Sequence, residues 1–313
     1  MQRYVMQRLL LMVPTVLGIL TLVFFAIRLA PGDPINTMLA ENYTAERAAS
    51  LRARLGLDQP LHVQYVGFLT GLVRGDLGVS LRSELPILPQ LVRVVPYTAF
   101  LAAYAMIIAL LIAIPAGVIA ALKRNTWIDS VTMVGSLALV SVPNFYLGVL
   151  LLMVFSVRWP IFPVTGGGSF DDPISLLHHG FLPAIALAGT MAAIVARMTR
   201  SSMLEVLSQD YVRTAWAKGL PERRIVYRHA LRNAFIPVMA VIGIHLRTLL
   251  VGSVVIEVVF SRPGLARLMV DGIFQRDYVL VEGAITIVAL VVVFVNFMTD
   301  MAYGLLDPRI RYG

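Results

Sequence analysis

Apolar residues in this chain run in long blocks, and short polar, turn-rich stretches separate them. An α-helix rises about 1.5 Å per residue, so roughly 20 apolar residues cross a bilayer. Six blocks reach that length: 9–29, 98–122, 131–157, 181–198, 235–260 and 279–306. The pattern predicts an all-α integral membrane protein with six transmembrane helices. Residues 31–96, between the first two spans, form the one sizeable polar region. Pro31, Gly32 and Pro34 stop the first helix as it leaves the membrane. "TAERAASLRARLGL" then reads as a short helix capped by Thr44, and "GDLGVSL" at 75–81 as a turn-rich joint. The region suits a helical cap but is marginal for an independent core. It is read either as a passive connector or as a docking surface for an extracytoplasmic partner.

Composition sharpens this picture. Of 313 residues, 58% are hydrophobic and only 14% charged, too few to clothe a soluble domain. The chain has no cysteine, which excludes disulfides and thiol chemistry. A net charge of +8 would suggest nucleic acid in a soluble protein. Here the basic residues sit in short loops, which speaks for membrane topology and against nucleic acid. Arg3, Arg8, Lys123, Arg124, Arg309 and Arg311 fall on one side, with Arg197, Arg200, Arg213, Lys218, Arg223, Arg224, Arg228 and Arg232. Opposite lie only Arg158, Arg262, Arg267 and Arg276, beside Asp171, Asp172, Asp271 and Asp277. The positive-inside rule places both termini in the cytoplasm and residues 31–96 outside. "MQRYVMQR" before an apolar run resembles a cleavable leader, but the run is too long and Arg28 sits badly at a small-residue cleavage site.

Motifs for chemistry are missing. The lysines, Lys123 and Lys218, follow no phosphate-loop glycine, and no Gly-x-Ser-x-Gly or His-Glu-x-x-His occurs. His178 and His179 lie near Asp171 and Asp172, yet adjacent residues rarely aim at one ion, so no metal site is expected. Charges within the spans are few, chiefly Arg247, Glu257 and Asp300, where a proton-coupled carrier needs more acids. The chain reads as a conduit that is not an enzyme, binds no cofactor and draws energy from elsewhere.

One segment breaks the apolar pattern: "YVRTAWAKGLPERRIVYRHALRNAFIPV", 211–238. Gly219 can take positive φ and Pro221 suits a first helical turn. A short helix should precede the break. After it, Arg224, Arg228 and Arg232 form a basic stripe, with Tyr227, Leu231 and Ala234 as its apolar neighbour. Such an elbow suits insertion into a groove on another protein.

The segment resembles the cytoplasmic "EAA" loop of ABC-importer permeases, and more narrowly the first of the two permeases in the dipeptide/oligopeptide/nickel subfamily. Further matches follow in order along the chain: "RLAPGDP" (28–34), "GDLGVSL" (75–81), "SVPNFYLG" (141–148), "RPGLARLMVDGIFQRDY" (262–278) and "LLDPRIR" (305–311). Five positions depart from the pattern. Thr214 replaces the motif Glu, as is usual in this subfamily, and Trp216 stands where Arg is commoner. Arg247 falls where a small residue is general, and Ser261-Arg262 replaces the usual Ala-Trp.

The resemblance implies a type I ABC importer fold, with residues 1–313 as one transmembrane permease domain and 205–234 as the coupling loop. It implies as partners a second permease, one or two ATPases that use ATP and Mg, and a solute-binding protein. Thr214, Ala215, Trp216, Ala217, Lys218, Gly219, Leu220 and Arg223 would then dock on an ATPase. Arg262, Pro263, Gly264, Asp271, Arg276 and Asp277 would form an outer gating loop. Arg247 lies about 15 Å into its span from Pro237; it is either a structural ion-pair partner or, with His245, Glu257 and Asn144, part of the substrate path. Di- and oligopeptides are the implied cargo, with nickel chelate, glutathione or another small solute as alternatives. An ion-coupled secondary carrier is the distant one, for which no 3+3 repeat is visible.

Overall fold

The structure is a computed structural model that describes residues 2–29, 35, 44–54 and 56–306. The exit turn at Pro31, Gly32 and Pro34 and the terminal residues Arg309 and Arg311 lie outside the described residues. Helices dominate those that are described, joined by two isolated β-bridges. Five helices are long and apolar enough to cross a membrane, or six if one bent pair counts as a single span.

That bent pair corrects the expected third span. Residues 131–157 are not one rod: α5 (Trp127–Ser141) and the helix beginning at Asn144 meet at 98°. The cause is local. Pro143 disfavours helical geometry in the residue before it, and Val142 is extended at φ −90° and ψ 122°. The second limb, α6 (Asn144–Leu152), continues into a π-helical stretch, Met153–Arg158.

The described residues pack into two compact units. The first comprises 97–262 and the end of the last helix from Met298. At its centre is α7 (Pro173–Leu207), which starts where the Asp172 carboxylate accepts from the backbone N–H groups of Ile174 and Ser175 at 3.1 and 3.2 Å, with Pro173 in the first turn. Its buried face is small: Ala184, Ala186, Ala188, Gly189, Ala192, Ala193 and Ala196. Small residues let backbones approach closely, which drives helix association where lipid removes the usual hydrophobic gain. α5, α6 and α9 (Leu231–Val259) pack on this face. Gly117 of α4 (Ile87–Leu122) lies so near that an added Cβ would be 2.6 Å from the carbonyl oxygen of Ala196. At one end of α7, Arg200 donates two hydrogen bonds to Asp129 at 2.5 and 2.6 Å, tying α7 to α5.

The second unit comprises residues up to Pro96 and 263–297. It holds α1 (Gln2–Leu29), the first turns of α4, α10 (Leu265–Gln275) and α11 (Tyr278–Leu306) as far as Phe297. α2 (Ala45–Arg54) begins where expected, with the Arg47 amide donating to Thr44 Oγ1 at 3.2 Å. α3 (Leu61–Arg74) was not expected; it starts after Pro60 and ends on a left-handed Gly75. α3 packs on α1 through Tyr65 and Phe68 around Phe24, and Tyr65 Oη shares a 2.6 Å hydrogen bond with Thr21. Arg28 stacks on Phe24 at 3.6 Å and donates to Gln64 and Glu282 at 3.0 and 2.7 Å. Ile87, Leu91, Leu265, Leu280 and Ala284 form the core of this unit. The 75–81 joint is a turn as expected, with Gly75 and Gly78 at positive φ and a bridge from Val79 to Pro86.

Candidate functional site

The basic segment folds into the expected elbow. α8 (Asp210–Ala217) ends at Lys218, and Gly219 follows at φ +73°. The Gly219 amide donates to the Trp216 carbonyl and the Leu220 amide to that of Ala215, which closes the turn. Val212, Ala215 and Ile225 are buried together, with Leu220 packed against them. This small core sets which residues can meet a partner. Ala215 and Leu220 face inward and stiffen the elbow instead of presenting to another protein. Thr214, Trp216, Ala217, Lys218, Gly219 and Arg223 are exposed, Trp216 at 47%.

The helix after the break differs from expectation in its apolar face. Ala234 is buried and Leu231 half-buried as expected, but Val226 and Ala230 join them against Val118, Ala121 and Met203, whereas Tyr227 is 57% exposed. Residues Ile225–Ala230 form a π-helical turn, whose i→i+5 bonding widens the helix there. The basic stripe survives: Arg224, Arg228 and Arg232 are all exposed. Tyr211 Oη accepts from Asn233 Nδ2 at 2.8 Å and so ties α8 to the start of α9. Tyr211 and Tyr227 are thus exposed aromatic residues of the elbow, as Trp216 is; Tyr227 was read as part of the apolar stripe, and Tyr211 did not stand out in sequence.

The polar residues of the spans divide into two groups. Arg247 and Asp300 form a long ion pair at 3.8 Å, with 44% and 20% of their side chains exposed. His245 is half-buried two residues earlier on α9, about half a helical turn away and so on a different face. Asn144 is also half-buried, at the first position of α6, and its Oδ1 accepts from Thr190 Oγ1 at 2.8 Å. Glu257, in contrast, is fully buried and accepts from Thr98 Oγ1 at 2.7 Å, so in this conformation it faces protein.

Arg262 is the least expected of the candidate gating residues. It is completely buried, none of its side-chain nitrogens has a hydrogen-bond partner among the described residues, and its guanidinium lies 5.8 and 5.6 Å from the Tyr97 and Phe100 ring centres. Burial draws its pKa below the ordinary arginine value, and the nearby Glu257 carboxylate opposes that shift. Pro263, Gly264, Asp271, Arg276 and Asp277 belong to the other unit. There Asp271 pairs with Arg267 at 3.1 Å, Arg276 ends α10 in left-handed geometry, and Asp277 caps α11 through the Leu280 amide at 3.0 Å while accepting from Ser80 Oγ. His178 and His179 bond to the carbonyls of Ile161 and Ser175, and no metal-binding cluster is found among the described residues.

Comparison with known proteins identifies the family. A family model described as binding-protein-dependent transport system inner membrane component matches residues 113–312, and one for the N-terminal part of such components matches 1–102. A dipeptide transport system permease protein of Escherichia coli is 40% identical over 340 aligned residues, covering all of this chain and 99% of that protein. A di/tripeptide transport system permease protein of Pseudomonas aeruginosa is 42% identical, with the same coverage. A glutathione transport system permease protein of Salmonella choleraesuis is 40% identical, with full coverage of both. Matched from end to end and built of membrane-spanning helices, the chain belongs to the binding-protein-dependent transport system inner membrane component family, the multi-pass permease subunits of ABC importers with the type I fold.

Proposed function

We propose that the chain is one of two permeases in an ATP-driven importer of di- and oligopeptides. In this arrangement 1–313 acts as a single permease domain with both termini in the cytoplasm, 31–96 as its outer region and 205–234 as its coupling loop. A solute-binding protein would deliver cargo at the outer face, and one or two kinds of ATPase, carrying ATP and Mg, would dock at residues 211–226. The chain itself would hold no nucleotide and catalyse no reaction.

The elbow carries this proposal. An exposed tryptophan stands on a two-turn helix whose other face is locked by Val212, Ala215 and Ile225. A stiff, apolar-tipped protrusion of this kind transmits a push; a mobile loop would absorb it. ATPase closure would displace the elbow and rock the spans by rigid-body motion. Trp216→Asp in the reconstituted complex is expected to leave ATP hydrolysis running while peptide uptake falls at least tenfold. Normal uptake by that variant would overturn the coupling role.

Peptide cargo is supported by the two peptide permeases among the relatives. Glutathione, itself a tripeptide with a free amino group, is the second reading because a relative of equal identity is named for it. Uptake of labelled alanyl-alanine and of glutathione by the same proteoliposomes separates the two. Uptake that persists without any ATPase would instead indicate a secondary carrier.

A further inference from the structure

We propose that the second unit carries a binding site for a small ligand with a primary ammonium group beside a carbonyl or carboxylate oxygen, as in an amino acid or the amino end of a short peptide. The site is a cleft of about 300 Å³ lined by Arg28, Gln59, Gly67, Asp76, Gly78 and Glu282, among other residues. That volume is at the small end of ligand pockets and fits one or two amino-acid residues.

Its polar groups are held in place and only partly used. Arg28 is fixed by its stack on Phe24 and by donation from Nε to Gln64 and from Nη1 to Glu282 Oε1. Gln64 is itself anchored, since its amide donates to the Gln59 carbonyl at 2.8 Å. Asp76 Oδ1 accepts from the Gly78 amide at 2.9 Å. Arg28 Nη2, Glu282 Oε2 and Asp76 Oδ2 form no hydrogen bond among the described residues, and none is sealed from solvent. Two carboxylates against one guanidinium leave the cleft one negative charge, which selects a cation. The open donor on Arg28 supplies the partner for an oxygen next to that cation.

Glycine shapes the walls. A Cβ at Gly71 would sit 2.8 Å from the Asp76 carbonyl oxygen, so α3 and the turn after it approach too closely there for a side chain. Gly67 differs: a side chain built on it meets nothing within 4 Å, because it looks into open space beside the cleft. The proposal rests on the cleft alone and stands whether or not the importer carries peptides.

The test uses the purified permease complex in lipid nanodiscs, without ATP or binding protein, and labelled alanyl-alanine at equilibrium. Saturable binding is expected, N-acetyl-alanyl-alanine should fail to compete, and Glu282→Gln should weaken binding about tenfold or more. Gly67→Leu fills the cleft while keeping every ion pair, and it too should lose at least tenfold while melting at the parent temperature. No saturable binding by the parent, equal competition by the acetylated peptide, or unchanged binding by Gly67→Leu would each overturn the proposal. Uptake by the same variants is measured separately, so the importer reading is judged on its own.

Discussion

Arg247 Nη2 lies 3.8 Å from Asp300 Oδ1, and this contact between two long membrane helices leaves 44% of the arginine side chain uncovered. A guanidinium at that depth cannot face hydrocarbon without a large cost, so its open side meets a water-filled path or another subunit. A pair this long and this exposed contributes little to folding, about 0–1 kcal/mol. Arg247→Ala is therefore expected to raise the KM for peptide uptake about tenfold while the purified protein melts within a few degrees of the parent. A purely structural pair predicts the reverse: a clear loss of stability, with Asp300→Asn recovering it. Melting curves and uptake kinetics on the two single variants and the double variant decide the question.

Close helix contact at Gly117 gives a second expectation. A methyl there would meet the backbone carbonyl of Ala196 and the Cβ of Thr199 at 2.6 Å, and neither can swing away. Gly117→Ala should cost about 1–3 kcal/mol or more by forcing α4 off α7. Gly135→Ala is the matched control: it is an exposed helical glycine whose new Cβ meets nothing within 4 Å, so it should be neutral or slightly stabilising. Equal melting temperatures for the two variants would refute the packing argument.

How much of this was legible beforehand follows from what each feature depends on. The spans were readable because lipid demands long apolar blocks, a property of consecutive residues. The break at Val142 was readable in principle from Pro143, but block length alone hid it. α3 was missed because its residues 61–74 are too polar for a span and too short to stand out, and what stabilises it is Phe24, some forty residues away. Gly219 was assigned correctly because positive φ is a local demand. The inward turn of Ala215 was not visible, since a two-turn helix offers an alanine either face and only Val212 and Ile225 settle which. Arg262 beside Pro-Gly was read as an outer-loop charge and gating residue, and its burial depends on Tyr97 and Phe100, distant in sequence.

That buried arginine supports a third expectation. Its three guanidinium nitrogens lack hydrogen bonds among the described residues, and the Tyr97 and Phe100 rings at 5.8 and 5.6 Å compensate only part of the lost hydration. Replacing both members of a buried charge pair by apolar or neutral side chains is often neutral or stabilising, whereas removing one leaves its partner uncompensated and costs about 3–5 kcal/mol. With the buried Glu257 carboxylate nearby, Arg262→Met alone should lower the melting temperature, and Arg262→Met with Glu257→Gln should recover it. An unchanged melting temperature for Arg262→Met would show that the two charges are not coupled.

The elbow offers the most demanding test, because its two faces make opposite predictions. Val212→Asp places a charge in the small core with Ala215 and Ile225 and should loosen the elbow, seen as faster proteolysis near residues 205–234. Trp216→Asp should leave proteolysis unchanged and still uncouple uptake, because that side chain is exposed. Gly219 supplies the graded case. At φ +73° an alanine is strained by about 1 kcal/mol, whereas proline cannot adopt the angle and also removes the amide that donates to the Trp216 carbonyl. Uptake should therefore fall modestly in Gly219→Ala and nearly vanish in Gly219→Pro, with ATP hydrolysis persisting in both. If Gly219→Pro transports normally, the turn is not the lever, and the stiffness built from Val212, Ala215 and Ile225 serves folding alone.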